Sequence, residues 1–405
     1  MNRTTRSVAL AAATLTLIGC GPDVGTGVTP TTATPTTFAT TTSTTTTTTP
    51  ATSTTTTTIA GNTGPGEVPR PTTTGVVLPT GPLVQVKGGL GGVPWDLVRL
   101  DSGSTLVSLR DRGVIAELTA GAVLRDVAAL PGTLGGGNGV LGIAVLKGSG
   151  AAPSYLYAFH SAADDNRIVR APITGSPGSY GLGAIQPIFT GLPKANFRAG
   201  GRIGFGPDAM LYVSTGDAWT TSNAQNLASN SGKILRMTPT GAVPAGNPFT
   251  GSYVWSYGHR NIEGIGWGAD GRMWASEFGE AAADELNLIQ PGNNYGWPLR
   301  EGTTGVTNPA LTDPVATWTV AEASPAGIAV VGDTVFVAAL RGKGLLAVNV
   351  AVTPATKTAH FVNTVGRIRD VAPGPGSTLW VLTSNTDGFG TPQPGGEFLL
   401  STPIG

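Results

Sequence analysis

Cysteine is nearly absent: the 405 residues contain one, Cys20. A disulfide framework within the chain is therefore excluded. Charge is scarce too. Charged side chains make up 12% of the sequence, and 24 basic residues balance 24 acidic ones. With no net field, the chain has no electrostatic pull toward nucleic acid. No apolar run is long enough to span a bilayer, since the best candidate, Val8 to Ile18, falls well short of a membrane-crossing helix. What is plentiful is glycine (60 residues) and proline (31 residues). Low charge, many turn formers and short apolar runs predict an all-β protein.

The lone cysteine closes a recognisable leader. Met-Asn-Arg-Thr-Thr-Arg supplies a basic start, an apolar segment follows, and Leu17-Ile18-Gly19-Cys20 ends it. This ending resembles the bacterial lipobox, in which the cysteine is lipidated and becomes the first mature residue. Residues 1–20 are thus expected to be a lipoprotein signal peptide, with Cys20 tethering an exported chain to the outer face of the cytoplasmic membrane. Residues 21–75 are mostly threonine with interspersed proline and alanine. Such a segment has little apolar surface to bury and is expected to be a disordered stalk, a plausible site of O-glycosylation. Residues 76–405 carry the composition of one large domain.

Within that domain one pattern recurs: an apolar run, a turn built on Gly, Asp or Pro, and a second alternating run. It occurs at 97–113, 143–161, 203–217, 265–279, 328–342 and 371–385. Six hairpins at this spacing, each too small to bury its own faces, predict a six-bladed β-propeller. The terminal "EFLLSTPI" (397–404) has no hairpin partner nearby and is expected to close the ring on an early strand.

Propellers bind ligands at the mouth of the central channel, so the polar residues flanking each hairpin are the candidates. Arg198 and Asp217 flank the third hairpin. Arg260 lies in "YGHRNIEG" before the fourth, and Arg341, Arg367 and Arg369 lie in "LRGKG" and "GRIRDV". Several guanidinium groups aimed inward suit a multiply anionic ligand. Asp284 and Glu285, with the backbone carbonyls around Gly279, offer oxygen ligands suited to a hard cation such as Ca²⁺.

"GVLGIAV" (139–145), "DNRIVR" (165–170), "GGRIGFGPDAMLYVSTGD" (200–217), "SGKILRMTPTGAVPAGNPF" (231–249), "YGHRN" (257–261), "DELNLIQPGNNYGWP" (284–298) and "RIRDV" (367–371) occur in that order. Together they resemble the glucose/sorbosone dehydrogenase family, the soluble PQQ-dependent aldose dehydrogenases, over residues 85 to 400. The resemblance implies a six-bladed propeller. It also implies a tricarboxylate quinone cofactor, PQQ, above a Ca²⁺ ion, and a histidine that takes a proton from a sugar as hydride passes to the quinone. By position it assigns Arg260 and Asn261 beside the quinone and Arg367 and Arg369 to its carboxylates. Arg341 stands where the family has a lysine. Gly279 and Glu280 correspond to the Gly-Pro carbonyls at the ion, and Asp284 and Glu285 to a neighbouring acidic pair.

Three positions depart from that pattern. Arg198 occupies the place of the catalytic histidine, and an arginine cannot accept a proton. Glu280 replaces the proline, and Gly137-Asn138 replaces an expected Gln or Glu. Asp217, or a water held by Glu280, is the remaining candidate base; His160, His259 and His360 read as structural or solvated. Two functions follow from this. One is a lipid-anchored aldose dehydrogenase with a rearranged base. The other is a cell-envelope propeller that binds a carbohydrate, an anion or a protein partner without oxidising it. A Ca²⁺-dependent lactone hydrolase is a weaker third, since a ring of acidic channel ligands is missing.

Overall fold

The computed structural model describes residues 73–303, 308 and 310–405. The signal peptide, Cys20 and nearly all of the threonine-rich stalk lie outside the described residues. No helix among the described residues is long and apolar enough to cross a membrane.

After a first strand, β1 (Val84–Gly88), the chain lays down four-stranded units in order. Blade one is β2 (Pro94–Arg99), β3 (Thr105–Leu109), β4 (Val114–Leu118) and β5 (Leu124–Ala129). Blade two is β6 (Val140–Leu146), β7 (Tyr155–Ser161), β8 (Asn166–Thr174) and β10 (Gln186–Leu192), with the short β9 (Gly181–Leu182) also on β8. Blade three is β11 (Gly200–Phe205), β12 (Leu211–Thr215), β13 (Lys233–Met237) and β14 (Val254–Tyr257). Blade four is β15 (Ile262–Trp267), β16 (Met273–Glu277), β17 (Asp284–Ile289) and β18 (Ala316–Trp318). Blade five is β19 (Pro325–Val331), β20 (Thr334–Ala339), β21 (Gly344–Asn349) and β22 (Thr356–His360). The last sheet holds β23 (Ile368–Pro373), β24 (Thr378–Thr383) and β25 (Phe398–Pro403). The chain is a six-bladed propeller, and each predicted hairpin is the inner hairpin of one blade.

Ring closure differs in detail from expectation. Strand β25 does have a hairpin partner, β24, and on its other edge it pairs antiparallel with β1, Val84 opposite Ser401. The closing strand therefore comes from ahead of blade one. Backbone hydrogen bonds between the two ends of the chain lock the ring shut, since a sheet edge left open would expose unpaired donors and acceptors.

Burial falls from the axis outward, as stacked sheets require. The inner strands β11 and β19 are wholly buried, whereas outer β22 and β5 are largely exposed or half-buried. Between blades the faces interdigitate: Trp95, Leu141, Tyr157, Phe205, Leu211 and Leu235 form one cluster, and Trp274, Leu286, Ile328, Val335 and Leu346 another. Each such side chain contributes about 1.5–3 kcal/mol of transfer free energy.

One irregularity repeats in all six blades. The pairing of the inner strand with its neighbour slips near its start, at Pro94/Asp96, Val140/Ile143, Gly200/Ile203, Ile262/Gly264, Pro325/Ile328 and Ile368/Asp370. A bulge re-aims the side chains beside it. The slips coincide with Asp96, Arg202, Glu263, Arg369 and Asp370, which border the cavities at the channel's two mouths.

Candidate functional site

The inner strands all begin at the same mouth of the channel, and a cavity of about 470 Å³ opens there. Six arginines border it: Arg110, Arg198, Arg260, Arg341, Arg367 and Arg369. Asn261, Glu263, Asp387 and the rings of Phe197, Trp219 and Phe389 complete much of the wall. Arg260, Asn261, Arg341, Arg367 and Arg369 are thus brought together from blades far apart in sequence. Arg110, at the single 3₁₀ turn after β3, joins them, as do the acids Glu263 and Asp387.

Carboxylates are shared rather than matched one to one. Asp387 Oδ2 accepts from Arg367 Nε at 2.9 Å and lies 3.5 Å from Arg369 Nη2, while Arg369 Nη1 pairs with Glu263. Burial would raise the Asp387 carboxyl, but the Arg369 and Arg367 charges outweigh it and hold it below the ordinary range. Arg341 is exposed and has no carboxylate within ion-pair distance among the described residues. The Nε donors of Arg198 and Arg369 are buried without a hydrogen-bond partner. Orphan guanidinium donors in a walled cavity favour an added anion, because an unmade buried hydrogen bond costs about 1–3 kcal/mol.

Arg198 also borders the cavity. Its backbone sits in the left-handed region, φ 63°, ahead of two more such residues, Gly200 and Gly201. The loop packs so closely on Gly216 that a Cβ there would lie 1.9 Å from the Arg198 carbonyl oxygen. Glycine at 216 is thus part of what fixes the loop. The guanidinium is buried, stacks 3.8 Å from the Trp219 ring centre, and reaches Asp217 Oδ2 at 3.3 Å. Its Nη2 pairs with Glu280 Oε2, an oxygen that Arg260 Nε also reaches at 2.8 Å. Burial would raise the Glu280 carboxyl; the two guanidinium groups, Arg260 first, lower it on balance.

Asp217 does not border the cavity. It is fully buried and accepts from Trp219 N–H at 2.9 Å and Trp297 Nε1 at 2.9 Å besides Arg198. No histidine borders the cavity either. His259 is buried between Glu277 Oε2 and Ser256 Oγ, both at 2.9 Å, and stacks on Tyr295. His160 is buried in β7, and His360 bonds Thr358 on outer β22.

The carboxylates of Asp284 and Glu285, expected as cation ligands, are hydrogen-bonded to the protein's own backbone. Asp284 Oδ1 accepts Gly279 N–H at 2.9 Å and its Oδ2 accepts Ser324 N–H at 2.6 Å. Glu285 is occupied by Gly302 N–H at 2.6 Å and Asn287 Nδ2 at 3.0 Å. Burial pushes Asp284 up to about 6, and burial together with the Glu277 charge raises Glu285 as well. Glu301 Oε1 takes the N–H groups of Glu280, Ala281, Ala282 and Ala283, which curls the loop around a carboxylate. No cluster of three or more His, Cys, Asp or Glu side chains placed to hold a metal occurs among the described residues. Each carboxylate in this set accepts from a backbone amide or a guanidinium.

The model of the glucose/sorbosone dehydrogenase family matches residues 92–390. The chain belongs to that family. A structure of the PQQ-bound aldose sugar dehydrogenase from Streptomyces coelicolor is 43% identical, superposes with a TM-score of 0.75, and covers 81% of this chain and 98% of its own. The aldose sugar dehydrogenase YliI of Escherichia coli K12 is 30% identical over 232 residues, 50% of this chain and 62% of its own length. An uncharacterised Synechocystis protein is 31% identical over 343 residues, 73% of this chain and 82% of its own.

Proposed function

We propose that this family member binds a planar polyanion, PQQ, in the arginine cavity but does not oxidise aldoses by the general-base route. The observation that carries the reading is Arg198. A guanidinium remains protonated at physiological pH, and this one is held by Asp217, Glu280 and Trp219 where the family resemblance calls for a proton acceptor. Asp217 lies beneath it, and Glu263 and Asp387 are engaged by Arg369 and Arg367. None of these groups is a free base facing the cavity.

The residues present suit the cofactor. Three carboxylates match the guanidinium forks of Arg110, Arg341, Arg367 and Arg369, and a flat ring system matches the aromatic wall of Phe197, Trp219 and Phe389. When bound, PQQ supplies a quinone that accepts hydride. The side chains of this protein hold and orient the anion, and Arg198 and Arg260 add positive charge beside it. The reading extends to the cell: an exported lipoprotein anchored through Cys20 on the outer face of the cytoplasmic membrane, its stalk presenting the propeller to a sugar, another small polyhydroxy or anionic ligand, or an envelope protein.

Titration of the purified protein with PQQ, followed by calorimetry, tests this. Saturable binding that weakens roughly tenfold or more in Arg367→Gln is expected, since a charge-assisted hydrogen bond contributes about 1.5–3 kcal/mol. Absence of binding, or equal affinity in the variant, would overturn it.

A further inference from the structure

Beside the arginine cavity, on the same face of the propeller, lies a smaller hollow of about 300 Å³, at the lower end of the range for small-molecule sites. The two share Arg367, so they open next to each other. Lys343 borders the hollow from the turn between β20 and β21, and Asn363 and Thr364 from the loop before β23. Asn385, Thr391 and Gln393 border it from the loop between β24 and β25. Apart from Gly366, every bordering residue carries a polar side chain, in contrast to the aromatic wall next door.

Backbone contacts hold these walls in place. Asn363 N–H donates to the Lys343 carbonyl at 2.8 Å, which ties blade five to the loop that enters the last sheet. Asn385 accepts from Arg367 N–H at 2.9 Å and donates to the Val365 carbonyl at 3.0 Å. Lys343 (φ 49°) and Asn363 (φ 58°) both sit in the left-handed region. Asparagine tolerates that conformation, but a lysine there is strained, and such strain concentrates where ligands bind. The side chains themselves are unspent. Among the described residues, the Lys343 ammonium, the Asn363 amide and the Thr364 and Thr391 hydroxyls have no hydrogen-bond or ion-pair partner. Arg367 is already matched by Asp387 at 2.9 Å, whereas Lys343, exposed at the rim, has no counter-charge among the described residues. The hollow therefore gathers one free cation and several free hydrogen-bonding groups.

We propose that this hollow binds a sugar acid, a polyhydroxylated carboxylate such as a hexuronate, with its carboxylate on Lys343 and its hydroxyls on Asn363, Thr364 and Thr391. The free ammonium selects an anion. The amide and hydroxyl groups both donate and accept, as sugar hydroxyls do, whereas an apolar ligand would strand them without partners. The inference stands apart from the PQQ reading, because Lys343 does not border the arginine cavity.

Titration of the full chain with D-glucuronate in the absence of PQQ, followed by saturation-transfer NMR, tests the proposal, with D-glucose and acetate as the two halves of the ligand. One saturable glucuronate site is expected, with glucose at least about threefold and acetate at least about tenfold weaker. Lys343→Gln should weaken glucuronate roughly three- to tenfold, as loss of one charged contact at a solvent-facing site implies, and leave glucose within about twofold. Lys147→Gln, an exposed lysine paired with Asp101 just beyond β6, should change neither. No saturable glucuronate site, glucose or acetate binding as tightly as glucuronate, or an affinity unchanged in Lys343→Gln would each overturn it. So would a larger loss in Arg341→Gln than in Lys343→Gln, which would place the anion in the arginine cavity. PQQ is absent from every arm, so a failure of PQQ to bind leaves these outcomes unaffected. Circular dichroism of each variant separates lost binding from lost folding.

Discussion

Replacing Arg198 with methionine removes the guanidinium while keeping an apolar stem against Trp219. Asp217 is fully buried, so the change strands one carboxylate in the interior. Removing one member of a buried pair costs about 3–5 kcal/mol. The Arg198–Asp217 contact is long, at 3.3 Å, and two N–H donors remain on Asp217, which places the loss at the low end. The Glu280 contact adds about 0–1 kcal/mol, because that side chain is 44% exposed and keeps Arg260. Loss of the stacked cation adds about 0.5–1 kcal/mol. Arg198→Met should therefore cost about 4 kcal/mol in urea unfolding. The decisive figure is the double-mutant cycle with Asp217→Ala, where a coupling of about 2 kcal/mol is expected between contacting charges. Additivity within about 0.5 kcal/mol would refute the claim that the two residues form one buried unit.

Three further outcomes follow from the same geometry. Glu280→Gln removes the charged acceptor shared by Arg198 and Arg260, freeing their donors, and should tighten PQQ roughly three- to tenfold, read by calorimetry at low salt where screening is weak. Lys233 is fully buried and donates only to the carbonyls of Asn223, Ala224 and Ser231, and burial lowers it to about 7. The unfolded chain then binds more protons between about pH 7 and 10, so this residue makes stability rise with pH across that window; Lys233→Met should lose that slope and about 3 kcal/mol or more. Glu285 has the opposite sign: its folded carboxyl is raised by burial and by Glu277, so its stabilising contribution is complete at acid pH and is lost as pH climbs past the ordinary carboxylate range. Glu285→Gln should flatten that decline, measured by urea unfolding from pH 4 upward.

Much of the fold was legible because its determinants are local. Gly, Asp and Pro punctuate hairpins whose alternation needs no knowledge of their neighbours, so the six units read directly. Closure was less legible: β1 has a weak pattern, largely exposed, and its role depends on where the far end of the chain arrives. In the site, arginines at blade ends could be picked out because a positive residue beside a turn is conspicuous. Arg110 lies on the 3₁₀ turn that ends the 97–113 hairpin, and nothing local marks it as bordering the cavity. Glu263 and Asp387 were missed because their importance lies in pairing with Arg369 and Arg367 across the channel, which no local window shows. Asp284 and Glu285, whose spacing suggests converging oxygens, each accept from a backbone amide of a neighbouring segment, a contact that no local window shows. Arg198 and Glu280, read separately as two departures from the family pattern, meet in one ion pair.

The most direct measurement is steady-state oxidation of an aldose panel with saturating PQQ and an artificial electron acceptor, comparing the unaltered protein with Arg198→His. No turnover above background is expected for the unaltered protein although PQQ is bound, with turnover gained in Arg198→His. Aldose oxidation by the unaltered protein, dependent on PQQ, would contradict it.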